Sequence, residues 1–212
     1  MEISMSVKER GRFIVFEGID GSGKSTQIRL LEARLKACGR EVYVTAEPTA
    51  SVSGGLLRDA LSGVSKRSAC ELAALFLLDR INHNVTEAGG IKKMLEAGYD
   101  VICDRYYYSS IAYQGSETDF EWVKTLNISC PEISRPDVCI FLDLDPDTSL
   151  SRIEKGRAVT EIYEKKDKLA AVRASYKRVF ESLGEKENVK IINADRTPDA
   201  IAEEIFDAVL AL

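Results

Sequence analysis

Short apolar segments alternate with longer amphipathic segments along most of the chain. The apolar runs are typical of strands buried on both faces of a sheet, and they predict strands over residues 12–17, 41–46, 100–103, 137–144 and 189–193. The segments between them repeat their apolar residues at the helical period and predict helices over residues 26–38, 69–82, 91–97, 107–113, 146–155, 162–182 and 198–212. The sequence therefore predicts an α/β fold in three layers, α/β/α, around a five-stranded parallel sheet.

These elements form a single predicted domain over residues 12–212, because no linker-like or low-complexity stretch divides them. The residues before it, 1–11, are polar and mixed in charge, and they predict a flexible N-terminal arm. Within the domain, residues 72–78 are apolar on nearly every side of their predicted helix. Such a helix is buried either inside a domain or at a subunit interface, and the sequence leaves both open.

Composition narrows the class of protein. The 212 residues are 45% hydrophobic and 30% charged, as in soluble globular proteins, and no apolar run approaches the ~18 residues of a membrane helix. The net charge of -5 argues against a nucleic-acid surface but leaves room for a small phosphate ligand. The five cysteines are scattered and His83 is the single histidine, so we expect no zinc site, buried free thiols and a cytoplasmic protein.

A phosphate-binding loop lies between the first predicted strand and the first predicted helix. It fits the pattern G-x-x-x-x-G-K-[ST] and consists of Gly18, Ile19, Asp20, Gly21, Ser22, Gly23, Lys24, Ser25 and Thr26. Its glycines let successive backbone N–H groups turn toward phosphate oxygens, and the following helix N-terminus favours an anion. We expect Lys24 to reach the β- and γ-phosphates of ATP, and the Ser25 hydroxyl to ligate Mg²⁺.

An acidic residue and an arginine, Asp104 and Arg105, follow the strand predicted over residues 100–103. At the carboxyl end of a strand, such an acid can hold Mg²⁺ or its water, while the arginine bridges donor and acceptor phosphates. The guanine-reading pattern N-K-x-D of GTP switches does not occur in the sequence. The combination is typical of phosphoryl transfer between two small molecules.

Four segments together resemble the thymidylate kinase family. They are FEGIDGSGKST at residues 16–26, Glu47-Pro48, DRYYYSSIAYQG at residues 104–115, and RPD at 135–137 followed by FLD at 141–143 and Pro146. The resemblance implies a P-loop kinase that transfers the γ-phosphate of ATP, with Mg²⁺, to dTMP and yields dTDP. It also implies a homodimer. The chain departs from the family's common E-P-G-G sequence, since Thr49 and Ala50 follow Glu47-Pro48.

The same resemblance implies a set of dTMP-binding residues: Asp20, Glu47, Arg58, Phe76, Arg80, Arg105, Ser110, Tyr113 and Gln114. Phe76 matches an aromatic that stacks on thymine, and Arg80 an arginine that binds a ring carbonyl. A flat ring beside a fork of N–H donors suits a flat base with exocyclic oxygens. Tyr113 matches a residue that leaves no room for a 2′-hydroxyl, and Arg58 one that binds the acceptor phosphate.

A further cation is expected in the transition state, and its position distinguishes members of the family. Some members carry an arginine in the phosphate-binding loop, where this chain has Gly21. We therefore expect the lid-arginine subtype, with a lid over about residues 152–164 and Arg157 ahead of Arg152 as the cation. The implied catalytic residues are Asp20, Lys24, Arg105 and Arg157.

Two alternatives remain open at this stage. The first is a kinase of the same fold that acts on UMP, dUMP, CMP or a nucleoside, because thymine differs from uracil by one methyl group. The second is a nucleotide-binding protein that hydrolyses or senses ATP without phosphorylating a small acceptor. In that case Phe76, Arg80 and Tyr113 would be structural.

Overall fold

The computed structural model describes residues 9–156 and 166–212. The strands are β1 (Phe13–Glu17), β2 (Val42–Ala46), β3 (Asp100–Asp104), β4 (Val138–Asp143) and β5 (Val189–Asn193). The helices are α1 (Lys24–Ala37), α2 (Val52–Leu61), α3 (Ala69–Val85), α4 (Ile91–Glu96), α5 (Tyr107–Glu117), α6 (Phe120–Ile128), α7 (Pro146–Gly156), α8 (Lys166–Leu183) and α9 (Pro198–Leu210), with a 3-10 turn at Gly184–Lys186.

The strands form one parallel sheet in the order β2-β3-β1-β4-β5. Alternate residues of the central strand β1 enter different cores, because side chains along a strand point to opposite faces. Phe13 and Val15 join the core that contains Tyr176 and much of α5 and α8, whereas Ile14 and Phe16 join the core built with α1 and α9. This arrangement confirms the predicted three-layer α/β fold.

Two helices were not predicted from the sequence, α2 and α6. The segment that forms α2 contains Gly54 and Gly55, which weaken a helical pattern, and Ser51 caps it by accepting a hydrogen bond from the Gly54 amide. The α6 segment is only 9 residues long, and Asp119 caps it in the same way through Trp122. Both helices depend on a cap and on packing more than on periodicity.

The expectation of buried thiols was wrong for two cysteines, and of the two alternatives for residues 72–78, burial inside the domain is excluded. Residues 72–78 of α3 are not enclosed inside the domain, since Leu78 is 47% exposed and Ala74 is exposed as well. Of the five free cysteines, Cys103 and Cys139 are buried, whereas Cys38 and Cys70 are exposed. The apolar face of α3 thus opens outward from the single chain.

The N-terminal end of the described chain is attached to the domain. The Gly11 amide donates to the Leu95 carbonyl at 2.9 Å, and Arg10 forms an ion pair with Asp137 at 2.8 Å. The remainder of the predicted arm, residues 1–8, lies outside the described residues. Among the helices that the structure describes, none has the length and apolar character required to cross a membrane.

A buried carboxylate at the start of β3 links this strand to the segments that precede β1 and β2. Asp100 is fully buried and accepts hydrogen bonds from Arg12 Nη2 at 2.6 Å and Arg40 Nη2 at 2.7 Å. Burial alone would raise its pKa, but the hydrogen bonds from Arg40 and Arg12 outweigh burial and hold the pKa far below its ordinary value. The ionised form therefore stabilises the folded state above the unfolded-state pKa.

Asp100→Asn is expected to lower the free energy of unfolding by about 2–3 kcal/mol at pH 7, because both arginines lose a charged acceptor. A lowered folded-state pKa contributes stability that is lost as pH falls through that pKa. In urea titrations, the difference in the free energy of unfolding between variant and wild type should therefore narrow below about pH 4. Glu87→Gln, which breaks the exposed pair with Lys93, is the control and should change nothing measurable. If the difference in the free energy of unfolding stayed constant down to pH 2, ionised Asp100 would not be the stabilising group.

Candidate active site

The predicted phosphate-binding loop connects β1 to α1 and opens into a cavity. Gly18, Gly21 and Gly23 have positive φ angles of 146°, 73° and 96°, which a residue with a Cβ adopts only with strain. The cavity, which we name the loop cavity, has a volume of about 740 Å³ and is lined by Asp20 to Gln27, Ala46, Glu47, Asp104, Arg105, Arg152, Ile153, Arg196, Pro198 and Ile201. The positive end of α1 thus faces a space of nucleotide size.

Lys24 lies at the start of α1 with its ammonium group beneath the loop. The side chain is buried, and Nζ donates to the carbonyl oxygens of Gly18 at 3.1 Å and Ile19 at 3.3 Å. Burial lowers the pKa of Lys24, as does the charge of Arg105. These contacts hold a cation at the edge of the loop cavity, where phosphate oxygens would bind.

Arg105 is the first residue beyond β3, and its backbone is left-handed, with φ 67°. Its amide donates to the Phe16 carbonyl at 2.9 Å, which joins this turn to β1. The guanidinium forms an ion pair with Asp20 and lies 5.4 Å from the centre of the Tyr113 ring. Burial opposes its charge, but Tyr113 and Asp20 raise the pKa of Arg105 well above its ordinary value. Arg105 is therefore a fixed cation.

A second cavity lies between α3 and α5, and we name it the helix cavity. Its volume is about 140 Å³, and its lining comprises Asp20, Glu47, Pro48, Leu61, Phe76, Arg80, Arg105, Tyr106, Ser109, Tyr113 and Gln114. An aromatic ring, a guanidinium and an amide therefore converge on one small space. Asp20, Glu47 and Arg105 line both cavities, so the two spaces meet at these side chains.

Glu47 is the buried centre of an ionic cluster at this junction. Its Oε2 accepts from Arg80 Nη2 at 2.6 Å, and its Oε1 lies 3.0 Å from His83 Nδ1. Arg80 Nη2 also donates to Ser110 Oγ at 3.0 Å, and Nη1 donates to Asn127. The resemblance implies dTMP-binding roles for both Ser110 and Gln114; Gln114 lines the helix cavity, whereas the Ser110 hydroxyl contacts Arg80.

Arg58 is outside the lining of the helix cavity. It is exposed on α2, and its Nη1 donates to the carbonyl oxygens of Thr49 at 2.5 Å and Pro48 at 3.4 Å. The same loop, which contains a cis peptide bond before Pro48, is held by Asp79. This fully buried carboxylate accepts from the Thr49 amide at 2.8 Å and from Ser53 Oγ at 2.7 Å. Asp79 was missed in the sequence, although it directly precedes Arg80.

The loop cavity offers oxygen ligands of the kind that Mg²⁺ prefers. Asp104 Oδ1 is buried and has no hydrogen-bond partner among the described residues, and Ser25 lines the same cavity. The described ranges contain no cluster of three His, Cys, Asp or Glu side chains suited to a metal. Mg²⁺ at phosphoryl-transfer sites commonly uses one or two protein ligands together with substrate phosphates. The residues therefore fit Mg²⁺ bound with a nucleotide.

The predicted lid is described only at its beginning. Arg152 on α7 lines the loop cavity, where its Nη2 donates to the Ala194 carbonyl at 3.1 Å and lies 3.7 Å from Asp195 Oδ1. Arg157, the first choice for the lid cation, lies outside the described residues. Arg196 and Pro198 also line the cavity, and sequence reasoning missed both because no motif marks them.

Comparisons with known proteins agree with this geometry. The family model described as "Thymidylate kinase" matches residues 16–205, a span that includes every described residue lining the two cavities. A "Probable thymidylate kinase" of Pyrococcus horikoshii is 39% identical over 94% of this chain and 96% of its own. A "Probable thymidylate kinase" of Methanocaldococcus jannaschii is 40% identical over 80% of this chain and 81% of its own. The "Thymidylate kinase" of Solidesulfovibrio magneticus is 36% identical over 93% of this chain and 98% of its own. The chain therefore belongs to the thymidylate kinase family.

Proposed function

We propose that this protein transfers the γ-phosphate of ATP to dTMP and produces dTDP and ADP. One observation carries the proposal: the cavity at the phosphate-binding loop meets a second cavity, suited to a small flat base, at Asp20, Glu47 and Arg105. Two phosphate-bearing substrates in these cavities would approach each other at the Arg105 guanidinium. The names of the relatives support dTMP as the acceptor.

On the donor side, the loop amides and Lys24 would bind the β- and γ-phosphates of ATP. Ser25 and Asp104 would hold Mg²⁺ with these phosphates, and the bound ion supplies charge neutralisation on the transferring group. The chain itself provides no covalent intermediate in this proposal. Its contribution is to hold the two substrates in line and to stabilise charge that develops between them.

On the acceptor side, Phe76 would stack on thymine, and Arg80 would donate to a ring carbonyl. Tyr113 would lie under the sugar and exclude a 2′-hydroxyl, while Asp20 would bind the 3′-hydroxyl. Arg105 would bridge the acceptor phosphate and the γ-phosphate. Arg58 would need to release the Thr49 carbonyl to reach the acceptor phosphate. Ser110 and Gln114 would face the edge of the base, and Glu47 would lie near the metal and the acceptor.

Purified protein with ATP and Mg²⁺ should convert dTMP to dTDP, with one ADP formed for each dTDP, as separated by anion-exchange chromatography. We expect dUMP to react with a kcat/KM lower by about 10–200-fold, since one methyl group in an apolar pocket discriminates by that much. UMP and thymidine should react more slowly still. ADP formation without dTDP would favour an ATP hydrolase, and faster turnover of UMP would favour the alternative kinase.

We further propose a homodimer, built on the outward-facing side of α3. Cys70, Ala74, Leu78 and Val85 are all exposed, and their spacing places them on one side of the helix. Sedimentation equilibrium at micromolar concentration should give the mass of two chains, and a monomer would refute the proposal.

A cytoplasmic location is supported by the supply of ATP and nucleotides in that compartment.

A further inference from the structure

Two buried hydroxyl groups lie between the Arg105 guanidinium and a buried carboxylate. Arg105 Nη1 is 3.2 Å from Ser109 Oγ and 3.4 Å from Tyr176 Oη. Both hydroxyls also donate to Oε2 of Glu17, and the Tyr176 Oη–Glu17 Oε2 distance is 2.8 Å. The two hydroxyl oxygens lie 2.8 Å from each other. Glu17 and Tyr176 are completely buried, and neither was selected in the sequence analysis.

The direction of these hydrogen bonds follows from the number of protons available. Arginine can only donate. Glu17 Oε2 accepts from Ser109 Oγ and from Tyr176 Oη. Each hydroxyl donates its one hydrogen bond to Glu17, and each hydroxyl oxygen accepts a hydrogen bond from Arg105 Nη1. The network therefore runs from the guanidinium through two parallel hydroxyls to the carboxylate. One hydroxyl comes from α5, and the other comes from α8.

Glu17 also fixes the backbone that carries Arg105. Its Oε1 accepts from the amides of Tyr106 at 2.8 Å and Ser109 at 3.1 Å at the start of α5. The Ser109 amide also donates to the Tyr106 carbonyl at 3.1 Å. This side chain thus caps α5 immediately after the left-handed Arg105 residue. One buried carboxylate therefore holds both the main chain and, through the hydroxyls, the side chain of Arg105.

We propose that Tyr176 is a positioning residue for Arg105, acting through its hydroxyl group. The inference rests on the proposed role of Arg105 at the two phosphates. The Tyr176 ring packs 4.9 Å from Phe141 and 6.0 Å from Phe180, so a phenylalanine would fill the same space. The hydroxyl contacts Arg105, Ser109 and Glu17, and its loss removes one of the contacts that orient the guanidinium.

Tyr176→Phe is expected to lower kcat by about 10-fold, with the KM values for dTMP and ATP within about 3-fold of wild type. Small misplacements of a reacting-site group commonly cost up to about 10²-fold in rate. Tyr108→Phe is the matched control, because it removes an equally buried hydroxyl that donates to Glu187 at 2.6 Å, away from Arg105. It should leave kcat unchanged even where thermal unfolding shows a similar loss of stability.

A double-mutant cycle with Arg105→Ala separates the two proposals. Arg105→Ala alone should lower kcat by about 10²-fold or more, and an unchanged kcat would refute the role of Arg105 itself. If Tyr176 acts through Arg105, adding Tyr176→Phe to Arg105→Ala should lower kcat no further. A full additional loss, or equal kcat values for Tyr176→Phe and Tyr108→Phe, would overturn the positioning role. Should Tyr176→Phe not fold, Ser109→Ala enters the same cycle and must show the same non-additivity.

Discussion

Lys24→Met is expected to lower kcat by ~10²–10³-fold, as does the loss of one preorganised donor at a developing charge in other enzymes. Lys24 provides the buried ammonium beneath the loop, oriented by the Gly18 and Ile19 carbonyl oxygens. Methionine retains the unbranched chain and removes the charge, so α1 should remain folded. Steady-state rates of dTDP formation at saturating ATP and dTMP measure the effect.

Lys36→Met is the control, because Lys36 is on the same helix and its exposed ammonium pairs with Glu32. It should leave kcat unchanged within error. Lys24→Arg should lose most of the activity as well, since the wider guanidinium cannot occupy the place of a compact ammonium between two carbonyls. If Lys24→Met kept more than about a third of wild-type kcat with a native unfolding curve, the proposed phosphate contact would be wrong.

The layered fold could be predicted because its three central strands, β3, β1 and β4, are buried on both faces, although the edge strands β2 and β5 are partly exposed. In β1, each of the residues from Phe13 to Glu17 is buried, and all five predicted strands agree with observed strands to within two residues at each end. The phosphate-binding loop could be predicted because its chemistry needs glycine at positive φ and lysine at the start of a helix. Local constraints of this kind are readable in a single sequence.

The residues that hold the site in place could not be predicted in the same way. Glu17, Asp79 and Tyr176 are polar groups whose roles depend on partners 26 to 159 positions away in the sequence. From the sequence alone, Glu17 is an ordinary residue at the end of a strand. Its role depends on four hydrogen-bond donors that only the fold brings together. For Ser110, the motif does not reveal that the hydroxyl accepts a hydrogen bond from Arg80. Tertiary contacts decided these roles.

The surroundings of Gly21 leave little room for an arginine in the loop, so the expected transition-state cation would come from outside it. A Cβ built at this residue would lie 2.8 Å from the Ser149 carbonyl oxygen and 3.1 Å from Ile153 Cγ1, both on α7. The first contact is with backbone, which cannot rotate away, and Ser149 Oγ additionally donates to the Asp20 carbonyl. α7 is thus packed directly on the loop. An arginine at this position would have to displace the helix that leads into the predicted lid.

Gly21→Arg is therefore expected to lower kcat/KM for dTMP by at least ~10²-fold, because a shifted loop misplaces the phosphates. Gly21→Ala should already cause a substantial part of this loss, since the clash begins at Cβ. Gly39→Arg is the control: its φ is 78°, but no atom lies within 4 Å of its Cβ, so strain costs only about 1 kcal/mol of stability and kcat is unaffected. The contrary result would be an active Gly21→Arg enzyme in which adding Arg157→Ala no longer lowers kcat. It would show that the loop can supply the cation, and that the contact between Gly21 and α7 does not prevent this.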